Sequence, residues 1–374
     1  MIIFWAFIIA AAIQCRYLFY TFLRVFSLKG YKAQTIHQQK PVSIIICAKN
    51  EAENLKKNLP AILSQRYSNE TGIALYEVIV INDNSTDDTE LVLQDLKRQH
   101  AHLKTAVSVT NEGEAKGKKH ALSIGVTIAA YNWLLMTDAD CVPASDQWVT
   151  LMVAPLAERK EIVAGYGGYY AADGLLNAFI RWETLHTFIQ YCSYALSGRP
   201  YMAVGRNLAC TKDAFLKAQA SPSWNALPSG DDDLLVSIAG TADNVAVASD
   251  PQAFTYSKAK DTWKEWKAQK QRHLSTGKYY KPATKLSLAI YATSHALLWL
   301  LFFALLFMNG SFVVLATGYM AFRCLAYWLV WALAARKLRE KIPVYLFPLF
   351  DLGWMMYNFA FFPYITWKNK KTWT

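Results

Sequence analysis

Residues 133–140 read Trp-Leu-Leu-Met-Thr-Asp-Ala-Asp. A run of four apolar residues is strand length rather than helix length, and it stops abruptly at two aspartates spaced one residue apart. The same grammar recurs upstream. Val42–Cys47 (VSIIIC) follows Pro41 and runs into Ala48-Lys49-Asn50-Glu51. Val78–Ile81 (VIVI) runs into Asn82-Asp83-Asn84-Ser85-Thr86-Asp87, and Thr105–Val109 is a weaker third run. Helical periodicity fills the gaps, over 51–64, 88–100 and 116–130. Strands alternating with helices of this length predict an α/β fold, a mostly parallel sheet with helices on both faces. In such sheets ligands bind outside the carboxyl ends of the strands. The polar residues just after each strand are therefore the candidate functional residues.

The rest of the chain is unlike a soluble α/β domain. It has 374 residues, of which 53% are hydrophobic and 18% charged. That charged fraction is below the roughly one quarter usual in soluble domains. The apolar content and the lack of repeats exclude disorder, collagen and coiled coil. The net charge is +11, which suits nucleic acid, an anionic membrane surface or anionic substrates. Six cysteines form no C-x-x-C pair, so neither a disulfide framework nor a zinc cage is expected.

The apolar residues are concentrated at the two ends. Ile2 to about Leu23 is long enough to span a bilayer and lacks a small-residue cleavage site, so it reads as an anchor. Arg16 within it is expected to snorkel. Arg24, Lys29, Lys32 and Lys40 follow, and basic flanks stay in the cytoplasm. Leu286–Met308 and Phe312–Ala335 read as two more spans around an Asn309-Gly310-Ser311 turn, ending at Arg336, Lys337, Arg339 and Lys341. Val344–Trp367 is apolar but holds Pro348, Asp351, Asn358 and Pro363, ahead of a basic tail that includes Lys368, Lys370 and Lys371. It reads as a broken, re-entrant or interfacial hairpin. His186, His295 and Arg323 read as packing or snorkelling residues. Because the lysines and arginines flank the spans, anionic lipid accounts for the charge without nucleic acid.

Four clusters carry chemistry. Asp138 and Asp140 can share one hard divalent cation, Mg²⁺ or Mn²⁺, although a D-x-D triplet alone also reads as a solvated turn or a helix cap. Lys116-Gly117-Lys118-Lys119 opens a helix and suits phosphate oxygens, though a solvated basic patch has the same pattern. Gly165-Tyr166-Gly167-Gly168 lacks the third glycine of a dinucleotide fingerprint. Ser229-Gly230-Asp231-Asp232-Asp233 packs three carboxylates together, which raises the proton affinity of at least one and suits a general base. The acids also complement a helix N-terminus. In Trp263–His273 (WKEWKAQKQRH), Gln269, Arg272 and His273 share a helix face, one turn after two interfacial tryptophans. Arg181-Trp182-Glu183 and Gly205-Arg206-Asn207 fit either an acceptor pocket or core helix and turn.

With these residues in order, the chain resembles the membrane-integrated family 2 glycosyltransferases, a group that includes ceramide glucosyltransferase and the polysaccharide synthases. The likeness covers about residues 40–280 by motif. Ala48-Lys49-Asn50-Glu51 matches the first-strand segment that touches the nucleotide, and Asp83 matches the aspartate that binds uridine. Asp138-Ala139-Asp140 matches the metal motif, and Asp231-Asp232 stands where the family carries its base, with Asp232 preferred. Gln269-Lys270-Gln271-Arg272-His273 matches Q-x-x-R-W except that His273 replaces the tryptophan. Five motifs in the right order are more specific than any one of them.

The resemblance implies a GT-A-type nucleotide-sugar-binding sheet with transmembrane helices at both ends. The expected organisation is an anchor over 1–26, a cytoplasmic catalytic domain over 40–257, an amphipathic interface region over 258–285 and transmembrane helices over 286–367. It implies a metal-dependent, inverting transfer of sugar from a nucleoside diphosphate sugar, UDP-linked by the family pattern, to a lipid or membrane-associated glycan. Donor contacts fall to Ala48, Asn50, Glu51, Asp83, Lys118, Asp138, Gln269 and Arg272. Metal contacts fall to Asp138 and Asp140, and catalysis to Asp232, Asp231 and Arg272. The expected setting is the inner cell membrane, with membrane lipids as partners. Two rivals share these features: a processive polysaccharide synthase, which His273 and the few spans speak against, and a non-catalytic nucleotide-binding membrane scaffold.

Overall fold

The computed structural model describes residues 1–28, 30, 40–108, 117–224, 230–308 and 310–366. Lys29, Lys32, Val109, Lys116, Ser229, Asn309 and the 367–371 tail lie outside the described residues. From the N-terminus, α1 (Ile2–Tyr20) is followed by β1 (Val42–Ala48), α2 (Ala52–Leu63), β2 (Tyr76–Asn82), α3 (Thr89–Gln99) and β3 (Leu103–Val107). Next come α4 (Lys118–Ile128), β4 (Trp133–Asp138), β5 (Val142–Pro143), α5 (Trp148–Ala157), β6 (Ile162–Ala164) and β7 (Gly167–Tyr169). A long helix α6 (Leu175–Leu196) precedes β8 (Leu208–Thr211), α7 (Lys212–Gln219), α8 (Asp231–Ala239), β9 (Val245–Val247) and β10 (Thr255–Ser257). Four helices close the described chain: α9 (Trp263–Leu274), α10 (Pro282–Leu306), α11 (Ser311–Lys337) and α12 (Phe347–Thr366).

The chain forms two compact units. The first gathers Met1–Ser27, Ala171–Ser197 and the described residues from Thr262 onward. The second gathers the described residues of 28–170 and 198–261. Helix α6 thus belongs to the helical unit although its sequence interrupts that of the sheet.

The sheet unit is built on seven strands in the order β3-β2-β1-β4-β8-β6-β9. β1 pairs in parallel with both β2 and β4, and β8 joins β4 antiparallel. β1 and β2 are buried along their whole length, as the apolar runs require of central strands covered on both faces. Helices α2 and α5 and the strand side chains form one core, with Trp148, Leu135, Val78 and Leu59 among its members. A second, three-stranded sheet (β5-β10-β7) completes this unit.

Among the described residues of the helical unit, three helices are long and apolar enough to cross a membrane: Ile2–Ser27, Pro282–Leu306 and Ser311–Lys337. α1, α10 and α11 meet through Phe4, Phe7, Leu298, Leu305 and Met320. One expectation is overturned here. The segment after Val344 is not a broken hairpin: a 3₁₀ turn over Val344–Leu346 leads into one helix, α12. Pro348 falls in its first turn, where an N–H has no intrahelical partner to lose. The Asn358 amide donates to the Trp354 carbonyl one turn back at 2.8 Å. Of the two readings of Arg323 and His295, packing or snorkelling, the structure shows packing. Arg323 is 1% exposed and forms an ion pair with Asp351 of α12. His295 is fully buried, with Nε2 3.0 Å from Asp351 Oδ1. Gln14 of α1 joins the group, donating to Ser294 Oγ at 2.9 Å and accepting from Tyr327 at 3.1 Å. Arg16 of α1 is exposed.

Candidate active site

Parallel pairing brings three strand ends level. Ala48 stands opposite Asn82, and Cys47 opposite Asp138. The segments that follow β1, β2 and β4 therefore emerge at one edge of the sheet.

The first two of these loops are laced together. The Asn50 amide donates to Ser85 Oγ at 2.9 Å, and its Oδ1 accepts from the Thr86 amide at 2.8 Å. The Glu51 amide donates to Thr89 Oγ1 and that of Ala52 to Asp87 Oδ2. Asn50 and Asn84 both hold φ of 56°, the left-handed region that asparagine tolerates better than most residues. Asp83 is buried, and its amide donates to the Ala48 carbonyl at 2.7 Å. Asn58 of α2 donates to the Ala139 carbonyl at 3.4 Å, joining the first loop to the third. Burial raises the Glu51 carboxyl above its usual range, and Asp140 and Asp138 add to the rise.

Asp138, Asp140 and Cys141 offer ligand atoms that all lie within 4.8 Å of one another. The Cys141 thiol donates to Asp140 Oδ1 at 3.3 Å. Burial and the two neighbouring carboxylates push this thiol far up, and two of the three candidate ligand residues offer carboxylate oxygens. Such a set fits a hard divalent cation, Mg²⁺ or Mn²⁺, rather than a thiophilic metal. Burial, and then the adjacent Asp138, raise the Asp140 carboxyl, while Arg206 opposes the shift. Two carboxylates this close favour a cation between them.

Lys118, the first residue of α4, points into the same cluster. Its Nζ lies 2.6 Å from Asp138 Oδ1 and 3.9 Å from Asp231 Oδ2. Burial works against its charge, but Asp138, Asp231 and Asp232 outweigh that cost and hold the ammonium well above its ordinary pKa. Lys119 beside it faces away, donating to the Trp224 carbonyl at 2.6 Å, and burial lowers it to about 8.

The acidic triplet opens α8, with Gly230 at φ 83° as its left-handed cap. Asp232 Oδ2 accepts from the Gly205 amide at 2.7 Å, and Oδ1 accepts from the Asp233 amide at 2.9 Å. Burial first, and then Asp231, raise Asp232 to about 6, the range in which a carboxylate serves as a base near neutrality. Asp231 and Asp233 are buried.

The sheet unit thus holds Ala48, Asn50, Glu51, Asp83, Lys118, Asp138, Asp140, Asp231 and Asp232. Gln269 and Arg272 lie on α9 of the helical unit, where Trp266 is buried against Phe179 at 5.5 Å. Lys270 between them is ion-paired with Glu183, and Arg181 with Glu340 at 2.6 Å. The Arg-Trp-Glu triplet is therefore a helix-to-helix tie within that unit.

Sequence reasoning passed over Arg206 as a neighbour of the aspartates. Its guanidinium lies 4.1 Å over the Tyr169 ring and donates to the Gly167 carbonyl at 2.7 Å, while its own carbonyl accepts from Thr137 Oγ1 at 2.8 Å. Antiparallel pairing of Leu208 with Met136 places it there, and no local pattern reveals such pairing.

A family model described as glycosyl transferase family 2 matches residues 43–205, and one described as glycosyl transferase family group 2 matches residues 133–359. The chain is 32% identical over 111 residues to a poly-beta-1,6-N-acetyl-D-glucosamine synthase of Staphylococcus epidermidis, covering 29% of this chain and 24% of that protein. It is 32% identical over 151 residues to a beta-monoglucosyldiacylglycerol synthase of a Nostoc species, covering 38% of this chain and 31% of that protein. These matches span about a third or less of the relatives' own length. Among solved structures, a mannosyltransferase from Pyrobaculum calidifontis in complex with GDP-Man and Mn²⁺ has a TM-score of 0.58 at 18% identity. That match covers 90% of this chain and 97% of the other. At this identity the likeness is one of fold.

Proposed function

The chain belongs to glycosyl transferase family group 2, and from that premise we propose that it transfers a sugar from a nucleoside diphosphate sugar to a hydroxyl of a membrane lipid or membrane-associated glycan, with inversion. The family makes it an enzyme, a glycosyltransferase with a GT-A-type sheet. One observation carries the finer reading: carboxylates from β4 and from α8 meet around a single ammonium, with Asp232 Oδ2 held on a backbone amide beside them.

The laced loops after β1 and β2 are the nucleotide's place, with Asp83 and Asn50 against base and ribose, Ala48 and Glu51 beside them, and Lys118 toward the phosphates. Asp138 and Asp140 are the residues that would hold a divalent cation, Mg²⁺ or Mn²⁺, whose chemistry there is to neutralise the diphosphate as it leaves. Asp232, or its neighbour Asp231, accepts the acceptor's hydroxyl proton. The oxygen attacks the anomeric carbon from the face opposite the diphosphate, and the bond from that carbon to the diphosphate oxygen breaks. Gln269 and Arg272 carry over from the family resemblance as diphosphate contacts, and the resemblance alone supports that role. We assign the catalytic residues to 40–257, the interfacial helix to 258–285 and the membrane segments to 1–26 and 286–367. The sheet unit faces the cytoplasm of the inner membrane, because the basic residues flank the spans.

The test is purification in detergent, incubation with UDP- and GDP-sugars and total membrane lipid, with and without EDTA, and mass analysis of the lipid products. A single-sugar adduct lost on chelation is expected. A long polymer would replace this reading with a processive synthase, and turnover unaffected by both EDTA and Asp140→Asn would remove the metal from it.

A further inference from the structure

Lys118 is positioned as a competitor for the carboxylate that the cation needs. Its ammonium takes Asp138 Oδ1 at 2.6 Å and lies 3.9 Å from Asp231 Oδ2. The side chain is only 18% exposed, so solvent screens the contact weakly. Gly205 closes the other side. A Cβ there would stand 3.2 Å from Lys118 Nζ and 3.2 Å from Asp232 Oδ2, so the absence of a side chain lets ammonium and carboxylate approach. The ammonium is thus enclosed by the end of β4, the start of α8 and a glycine backbone.

A divalent cation on Asp138 and Asp140 would meet two costs. It would share Asp138 with an ammonium already on one oxygen, and it would sit near a like charge where the dielectric is low. A diphosphate removes both, because it offers oxygens to ammonium and cation alike. We propose that Lys118 makes cation binding conditional on the diphosphate: the ammonium holds Asp138 until phosphate oxygens draw it away and release that carboxylate to the cation. The inference rests on the reading of Asp138 and Asp140 as the cation site. Linkage makes the effect reciprocal, so the cation strengthens nucleotide binding by the same factor.

The test is Mn²⁺ titration of the full-length protein in detergent at fixed ionic strength, by calorimetry or by the loss of the free-Mn²⁺ electron spin resonance signal. Each protein is titrated alone, with UDP and with GDP. For the wild type, Mn²⁺ affinity should rise about tenfold or more with the nucleotide that binds. In Lys118→Met, affinity for Mn²⁺ alone should rise about tenfold and the gain from nucleotide should shrink toward none. Removing any nearby positive charge tightens a cation site, so the control is Lys260→Met. Lys260 is exposed yet acts on Asp140, and its loss should leave the nucleotide-dependent gain intact. Should Lys118→Met lose the wild-type melting transition, Lys118→Gln keeps a donor toward Asp138 without the charge and carries the same expectation. A Lys118 variant that keeps the full nucleotide-dependent gain, even with uniformly tighter Mn²⁺, overturns the proposal. A wild type that binds no Mn²⁺ with either nucleotide overturns the functional reading itself, and the inference with it.

Discussion

Two regions of this molecule gather buried charge, and they do so to opposite ends. At the edge of the sheet, Asp138, Asp231 and Asp232 are set around one ammonium, with Asp140 close to Asp138 and Arg206 bound to carbonyls nearby. Among the helices, the carboxylate of Asp351 is met by Arg323 and His295, with Gln14 accepting from Arg323 and Tyr327. The first cluster has more carboxylates than cations close around it, as the proposed cation and diphosphate would require. The second is balanced within the protein. Residue types do not separate the two clusters; the sum of charge does.

Substitutions can break this contrast. The largest effect should come from Asp140→Asn, which removes one negative charge from the surplus. Transfer should fall by about 10²–10³-fold while the melting temperature changes little, because Asp140 forms no ion pair among the described residues. Retained turnover would deny the cluster its role. In the helical unit the same kind of change should act on stability instead. Arg323→Met strands Asp351 without its strongest partner at a cost of about 3–5 kcal/mol, read as a large drop in melting temperature in detergent. The double variant Arg323→Met with Asp351→Leu should recover most of that loss, since an apolar pair of similar size replaces a balanced ion pair at little net cost. A double variant no more stable than the single would show that the ion pair does more than balance itself.

Smaller effects sharpen the comparison. Asp232 must be ionised to accept a proton, and burial with Asp231 raises it to about 6. The sign is then set: kcat/KM should climb with pH through about 6 and level off above it, with Asp232→Asn abolishing that limb. A flat profile would move the base elsewhere. Gly205→Ala should be milder, because the new methyl meets a flexible lysine end and a carboxylate oxygen. An overpacking cost of about 1–3 kcal/mol is expected, seen as weaker turnover with little change in the donor's KM.

Much of the sheet unit was legible from local pattern. Apolar runs of strand length, helices of regular spacing and acids placed just after strands are all short-range features, and β1, β2 and β4 formed where they were expected. Lys118 was read as a candidate phosphate contact, and its partner was not legible: it faces a carboxylate 20 residues on, by a path no spacing rule describes. Arg206 was illegible because an antiparallel strand pairing, not a motif, carries it to Thr137. In the helical unit the long-range partners were not legible. Arg323 and His295 find Asp351 across 28 and 56 residues, and α12 stays whole where its prolines and aspartate suggested a break.

By itself, then, the sequence settled the class of fold, the apolar helices and the order of the acidic segments, because backbone hydrogen bonding and side-chain periodicity act over a few residues at a time. Which charges cancel and which remain in excess was decided only by the tertiary structure. Desolvation penalises every buried charge wherever it lies in the chain, and the opposite charge that offsets it can come from any segment the topology brings within a few ångströms.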